Sequence, residues 1–229
     1  MVMIIMWFAI LGDRTEVGGY ARGDFIVYFL FMTLGWYIVG GSFSREIGRA
    51  IRNGDLNKYL LQPYHLVLKC FFRELAWKAV SLAMSLPLFL GVLYLLRGYL
   101  SWQMFTGPWW QVALSLLLGS ILFALMEAII GSLAFWVTEI WPFAEMNEML
   151  LNFFGGVLAP ISLLPMVVQK MSVYTPFRYI FYEPVAIALG KEGEPVKAIL
   201  IQVLYIVVVY VVYKLVWKQG LHKYEGNGG

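Results

Sequence analysis

From Ile201 to Trp217 the chain reads IQVLYIVVVYVVYKLVW, apolar on every face with Lys214 as its one charge. Such a stretch has no polar side to leave in water, so it cannot be an ordinary surface helix. In hydrocarbon its backbone groups must bond one another, which makes it a membrane helix. Crossing a bilayer takes about 20 mostly apolar residues. Comparable runs place spans at 25–42, 75–96, 109–137, 149–164 and 198–217, with a shorter apolar run at 1–11. That short run covers about half a bilayer and lacks the basic lead of a signal peptide. It is expected to be the outer half of a truncated first span. Composition agrees: 61% of the chain is hydrophobic and 14% charged, against about 25% charged in soluble domains. The expected fold class is an all-α polytopic membrane protein with six spans, residues 1–229 forming a single transmembrane domain.

Charge placement orients it. Arg45, Arg49, Arg52, Lys58, Lys69, Arg73 and Lys78 cluster in and beside the segment 43–74, and Lys214, Lys218 and Lys223 stand at the C-terminal end. Basic loops stay cytoplasmic, so the segment 43–74 and the tail 218–229 are expected on that side. The turn after the fourth span falls there too, yet carries Glu139, Glu145 and Glu148 and no basic residue. Acidic residues weigh little in orientation, and these three are candidates to pair with the arginines of the basic segment.

Several chemistries are excluded within this sequence. The net charge of +3 is too small to argue for nucleic acid. Cys70 is the lone cysteine, and His65 and His222 are far apart without ligand-like neighbours. No G-x-x-x-x-G-K-[ST], H-E-x-x-H or G-x-S-x-G occurs. The chain is expected not to be an enzyme and to hold no cofactor of its own.

The basic segment is built as a device. Ser42 and Ser44 are candidate N-caps of a short helix that puts Arg45, Arg49 and Arg52 on one face, with Glu46 in reach of Arg49. Asn53-Gly54 permits a left-handed stop, and Asp55 can cap a second short helix that Gln62-Pro63 breaks. The arginines could meet anionic lipid headgroups, or the two pieces could form a rigid elbow presenting Tyr59 and Leu60 to a protein groove. Inside the fourth span, Glu127 could face a pathway or bond a serine or backbone group of a neighbouring helix. The stretch from Pro160 to Gly190 has prolines at Pro160, Pro165, Pro176 and Pro184 and is too broken for a simple span. It reads as outer re-entrant or interfacial helices at 165–193, either a lid over an exit or a structural plug. Trp141 to Phe143, Gly107 to Trp110 and Ser101-Trp102 fit interfacial aromatic belts. Gly119 and Gly131 are too widely spaced for a close-packing motif.

The string IRNGDLNKYLLQP resembles the G-D-L-x-x-Y-L-L-x-P signature of permease subunits of ABC type-2 exporters, in the compact six-span branch whose ATPase is a separate chain. SLAFWVTEIWPF, GGVLAPISLLP, YTPFRYIFYEPVAIALG and VWKQGLHKYEGNGG extend the resemblance in order. It implies that Gly54, Asp55, Leu56, Tyr59, Leu60 and Pro63 form a cytoplasmic coupling helix inserting into a nucleotide-binding subunit. Arg45, Glu46, Arg49 and Arg52 would lie on the helix leading into it. It also implies ATP and Mg bound by that partner ABC ATPase, a second permease subunit as homodimer or heterodimer, and contact with membrane lipid. The setting implied is a multi-pass protein of a cell membrane, a bacterial inner membrane. An outer gate would comprise Pro160, Pro165, Pro176, Phe177 and Pro184, and the substrate would be amphipathic. The reading from another class is a non-transporting membrane scaffold or sensor that recruits a soluble partner through the same segment.

Overall fold

The computed structural model describes residues 2–11, 16–62, 65–99, 108–191 and 193–224. Pro63 and the stretch from Ser101 to Gly107 lie outside the described residues. Among those described, four helical stretches are long and apolar enough to cross a membrane: Gly23–Arg52, Leu66–Leu95, Trp109–Phe135 and Pro195–Lys223. The protein is an all-α polytopic membrane protein.

Helix α1 (Val2–Leu11) leads to a hairpin of β1 (Glu16–Val17) and β2 (Tyr20–Ala21), turned by Gly18 and Gly19 at φ +57° and +81°. Helix α2 (Arg22–Val39) follows, then the short α3 (Ser44–Arg52) and α4 (Leu56–Leu60). Helix α5 (Leu66–Leu95) has 30 residues and is about 45 Å long. It starts nine residues before the third span expected at 75–96, so the end of the basic segment is its first turns. Helix α6 (Trp109–Ser132) continues as a 3-10 turn, Leu133–Phe135, and α10 (Pro195–Lys223) closes the chain. Its Pro195 stands in the first turn, where a missing N–H costs no hydrogen bond.

The segment expected as a fifth span at 149–164 differs. Helix α7 (Trp141–Phe154) starts earlier and stops at Gly155, followed by Gly156 at φ +75°. Its 14 residues reach about 21 Å, short of a hydrocarbon core of about 30 Å. The irregular backbone beyond it is held by the first two helices. The Tyr28 hydroxyl donates to the Gly156 carbonyl at 2.6 Å, and Trp7 Nε1 donates to that of Leu158 at 3.2 Å. Protein, not lipid, thus satisfies these groups.

Helix α6 is the hub, packing on α2, α3, α10 and on α9 (Arg178–Ala188). Two apolar cores sit along it. One gathers Phe25, Tyr28, Phe29, Leu122, Ile180 and Phe181; the other gathers Phe43, Ile47, Leu56, Ala128, Phe135 and Trp217. Helices α5 and α10 keep most of their apolar surface outward, as Met84, Leu88, Leu200 and Leu204 show. A lipid environment makes that exposure free of cost.

From Pro160 to Gly190 the chain divides into two parts. Helix α8 (Met166–Val173) is mostly exposed, whereas α9 is buried from Tyr179 through Ala188. Gly119 makes this possible, since a Cβ there would stand 2.7 Å from the Ile180 carbonyl oxygen. The buried Gln202 of α10 fastens the same joint, donating to the carbonyls of Tyr179 at 2.6 Å and Ser115 at 3.1 Å and accepting from the Ser115 hydroxyl at 3.0 Å. Arg178 pairs with the buried Glu183 and lies over the Tyr182 ring. Of the prolines, Pro160 and Pro184 are buried, Pro176 is half-buried and Pro165 is exposed.

Candidate functional site

The elbow is a local consequence of its sequence. In α3 the positions Ile47, Gly48, Ala50 and Ile51 are buried and Arg45, Arg49 and Arg52 are exposed, so one stripe packs and the other faces out. Asn53 ends the helix and Gly54, at φ +77°, turns the chain. A side chain at that φ would be strained, so the left-handed stop expected from Asn53-Gly54 is what forms. In α4, Leu56 is fully buried, Tyr59 half-buried, and Leu60 and Leu61 are 51% and 90% exposed.

The caps differ from expectation. Phe43 occupies the N-cap of α3, and neither Ser42 nor Ser44 caps it by side chain. The acceptor comes from another span: Glu127 of α6 takes the backbone N–H of Ser44 on its Oε2 at 3.1 Å. Of the two roles open to this carboxylate, the structure supplies the bond to a neighbouring helix. A carboxylate at a helix N-terminus meets both orphan donors and the positive end of the dipole. Asp55 precedes α4 but makes no capping bond, because its carboxylate pairs with Lys58 at 2.6 Å. That bond raises the Lys58 pKa above its ordinary value.

Gly131 lets α3 lie against α6, and Gly48 lets it lie against the start of α7. A Cβ on Gly131 would meet the Ile47 Cβ at 2.7 Å, and one on Gly48 would meet Ile140 at 2.6 Å. Gly119 and Gly131 do serve close packing, each against a different partner, which is why their mutual spacing carries no signal.

The charges pair two of the three glutamates of the acidic turn, Glu139 and Glu145, with arginines of the basic segment. Arg45 faces Glu145 at 3.7 Å and Arg52 faces Glu139 at 3.6 Å, while the Arg52 guanidinium also donates to the Thr138 carbonyl. Glu46 pairs with Arg73 of α5, not with Arg49. A planar guanidinium on a separate rigid helix can meet both carboxylate oxygens at once, which an i, i+3 neighbour does not. Arg49 forms no ion pair among the described residues. Lys78 of α5 donates to the Val39 carbonyl at 2.8 Å, closing the end of α2.

Below α4, a groove of about 170 Å³ is lined by Tyr59, Leu60, His65 and Trp217. The His65 ring lies 5.3 Å from that of Trp217 on α10, and Lys69 sits over Tyr59 at 4.6 Å. The elbow is therefore locked to α5, α6, α7 and α10, and offers outward Arg49, Leu60 and Leu61.

Among the expected coupling residues, the structure brings Arg45, Glu46, Arg49, Arg52, Gly54, Asp55, Leu56, Tyr59 and Leu60 onto one elbow; Pro63 lies outside the described residues. In the sequence alone Leu61 has no role as an exposed contact, Arg73 and Lys78 supply only an orienting charge, and Gly131 has no packing role. Only a partner distant in sequence gives the last three their roles.

A family model described as ABC-2 family transporter protein matches residues 1–228. Searches of curated proteins and of solved structures gave no match. With several apolar helices of spanning length behind an elbow of this construction, the chain belongs to the ABC-2 transporter family, as a membrane permease component.

Proposed function

We propose that the chain is the membrane-spanning permease of an ATP-driven exporter, working as a dimer whose energy comes from separate ABC ATPase subunits. The observation that carries this is the elbow itself: it packs on α5, α6 and α10, pairs by charge with α7, and leaves Arg49, Leu60 and Leu61 exposed on the other side. The elbow then faces the cytoplasm of a bacterial cell, in keeping with its basic charge. ATP and Mg bind in the partner, and this chain supplies no group to hydrolysis.

A soluble partner that grips the exposed edge differently in its two nucleotide states biases the permease between two conformations. Its push passes to α6 through Glu127 and the Gly131 contact, and to α7 through Arg45–Glu145. The far end of α7 carries Phe154, whose ring stacks on Phe177 at 6.4 Å. Movement of α7 thus reaches the stretch containing Pro160, Pro165, Pro176, Phe177 and Pro184, which acts as the outer gate.

The test is copurification of the detergent-solubilised chain from its native membranes. A P-loop ATPase is expected with the wild type and lost with Leu60→Asp, which keeps the fold because Leu60 is exposed. If no ATPase appears with either chain, the elbow meets lipid or a scaffold partner and the exporter reading falls.

A further inference from the structure

At the elbow end, α2, α3, α5, α6 and α7 line a half-open cavity of about 430 Å³. Its size falls within the range of small-molecule sites, about 300–1,000 Å³. Glu74, Glu127, Glu145 and Glu148 all line it, with Arg45 as the one cation among the lining residues. Arg45 is already engaged by Glu145, and the nearby Lys78 turns its ammonium to the Val39 carbonyl. Glu74 and Glu148 form no ion pair among the described residues. Four carboxylates thus stand against Arg45 and the adjacent Lys78, and the cavity carries a net negative charge.

An acidic cluster alone would be a solvated face. Here a second observation stands beside it. Asn147 of α7 lines the same cavity, is only 6% exposed, and makes no hydrogen bond to the described chain. The amide opens onto the cavity instead of being sealed in the protein, so its donors and acceptor are free for something held there.

The walls identify the class of occupant. Among the described residues, no three His, Cys, Asp or Glu groups are placed to hold a metal ion. The carboxylates are spread around the wall, as suits a larger and more diffuse cation. Trp36 and Phe123 supply aromatic rings to the lining, and such faces attract organic ammonium groups. Trp36 also lines a second, more apolar cavity of about 340 Å³, together with Phe29, Met32, Thr33 and Tyr37. An acidic chamber and an apolar one share a tryptophan wall.

We infer that this pair of chambers binds an amphipathic organic cation, its charged head among Glu74, Glu148 and Asn147 and its apolar body along Trp36. As a substrate class it rests on the permease reading above; as a binding site it does not. The carboxylates reject anions of the same shape, so selection is by charge. Glu127 stays with the Ser44 N–H and contributes field without being displaced.

The experiment measures binding of tetraphenylphosphonium to the full chain in lipid nanodiscs by equilibrium dialysis, with empty nanodiscs subtracted. Tetraphenylborate, matched in shape and opposite in charge, is the control. Saturable binding of the cation alone is expected, weakened about tenfold or more in the Glu74→Gln/Glu148→Gln double variant, as loss of two nearby charges in a low-dielectric site requires. Asn147→Leu keeps every charge but removes the free amide and narrows the chamber, and it is expected to weaken the cation as well. Cation binding unchanged in both variants, or equal saturable binding of the borate, overturns the proposal. Carboxylate-dependent binding without a copurifying ATPase would leave the site standing and remove the exporter reading. Copurification without such binding would do the reverse.

Discussion

The Glu127 carboxylate and the Ser44 backbone N–H are 83 residues apart in sequence and meet at 3.1 Å, both buried. The contact joins the C-terminal third of a membrane helix to the first turn of the elbow. Glu127→Leu leaves a buried N–H unsatisfied, a loss of about 1–3 kcal/mol. Glu127→Gln keeps an acceptor and is expected to cost less. Thermal melting in detergent ranks the two, and limited trypsin digestion at Arg45 and Arg49 is expected to speed up in the leucine variant only. Equal digestion of both would mean the cap does not hold the elbow.

Gly131 offers a steric test of the same joint. A methyl at this position collides with Ile47, so Gly131→Ala is expected to displace α3 and, on the proposed exporter reading, to lower stimulation of the partner ATPase several-fold. Gly91 of α5 has open space where its Cβ would be, and Gly91→Ala is the matched control, expected to leave stimulation unchanged. Equal behaviour of the two would remove the close approach from the account.

The Glu46–Arg73 pair ties α3 to α5 at a partly exposed site, with side chains 25% and 45% exposed. A double-mutant cycle with alanine is expected to give a coupling of no more than about 1 kcal/mol, because exposed ion pairs are screened. A coupling well above that would show that the pair is closed off from water, as docking of the proposed partner on the elbow would do.

Gln202 is the opposite case, fully buried with each of its polar atoms engaged. Gln202→Leu strands the Ser115 hydroxyl and loosens α9 from α6 and α10, with an expected loss of about 1–3 kcal/mol. Melting temperature reads it, and an unchanged value would mean that α9 is held by apolar packing alone.

His65 predicts a modest dependence on pH. Partial burial against Trp217, and secondarily Lys214, holds its pKa below the ordinary value. The unfolded chain then binds the proton more readily, so the stability contributed is fully present above about pH 6.5 and is lost as pH falls through the lower folded value. The wild type is expected to lose more melting temperature between about pH 7.5 and pH 5.5 than His65→Gln. Parallel losses would place the titration elsewhere.

Much of the architecture was legible residue by residue. Unbroken apolar runs at 109–137 and 198–217 had to be membrane helices, because in lipid the backbone can satisfy itself only that way. Asn53-Gly54 announced a turn whose left-handed φ glycine adopts without strain, and the ordered strings from IRNGDLNKYLLQP onward already resembled the family that the match over residues 1–228 establishes. These are properties of single residues or of short stretches, and neighbours along the chain suffice to set them.

Tertiary structure alone decided which groups meet. Glu127 was a lone carboxylate in a span until α6 brought it to Ser44, and Glu46 chose Arg73 over the nearer Arg49 because a separate helix presents the guanidinium squarely. Two of the three glutamates of the acidic turn lost their oddity once Arg45 and Arg52 stood opposite Glu145 and Glu139, while Glu148 pairs with no arginine among the described residues. Helix α7 fell short of a span because Gly155 and Gly156 end it, while Trp7 and Tyr28 satisfy the backbone beyond. Hydrogen bonds and ion pairs act over a few ångströms in space without regard to separation along the chain. The fold must therefore form before residues such as Glu127 and Ser44 become partners.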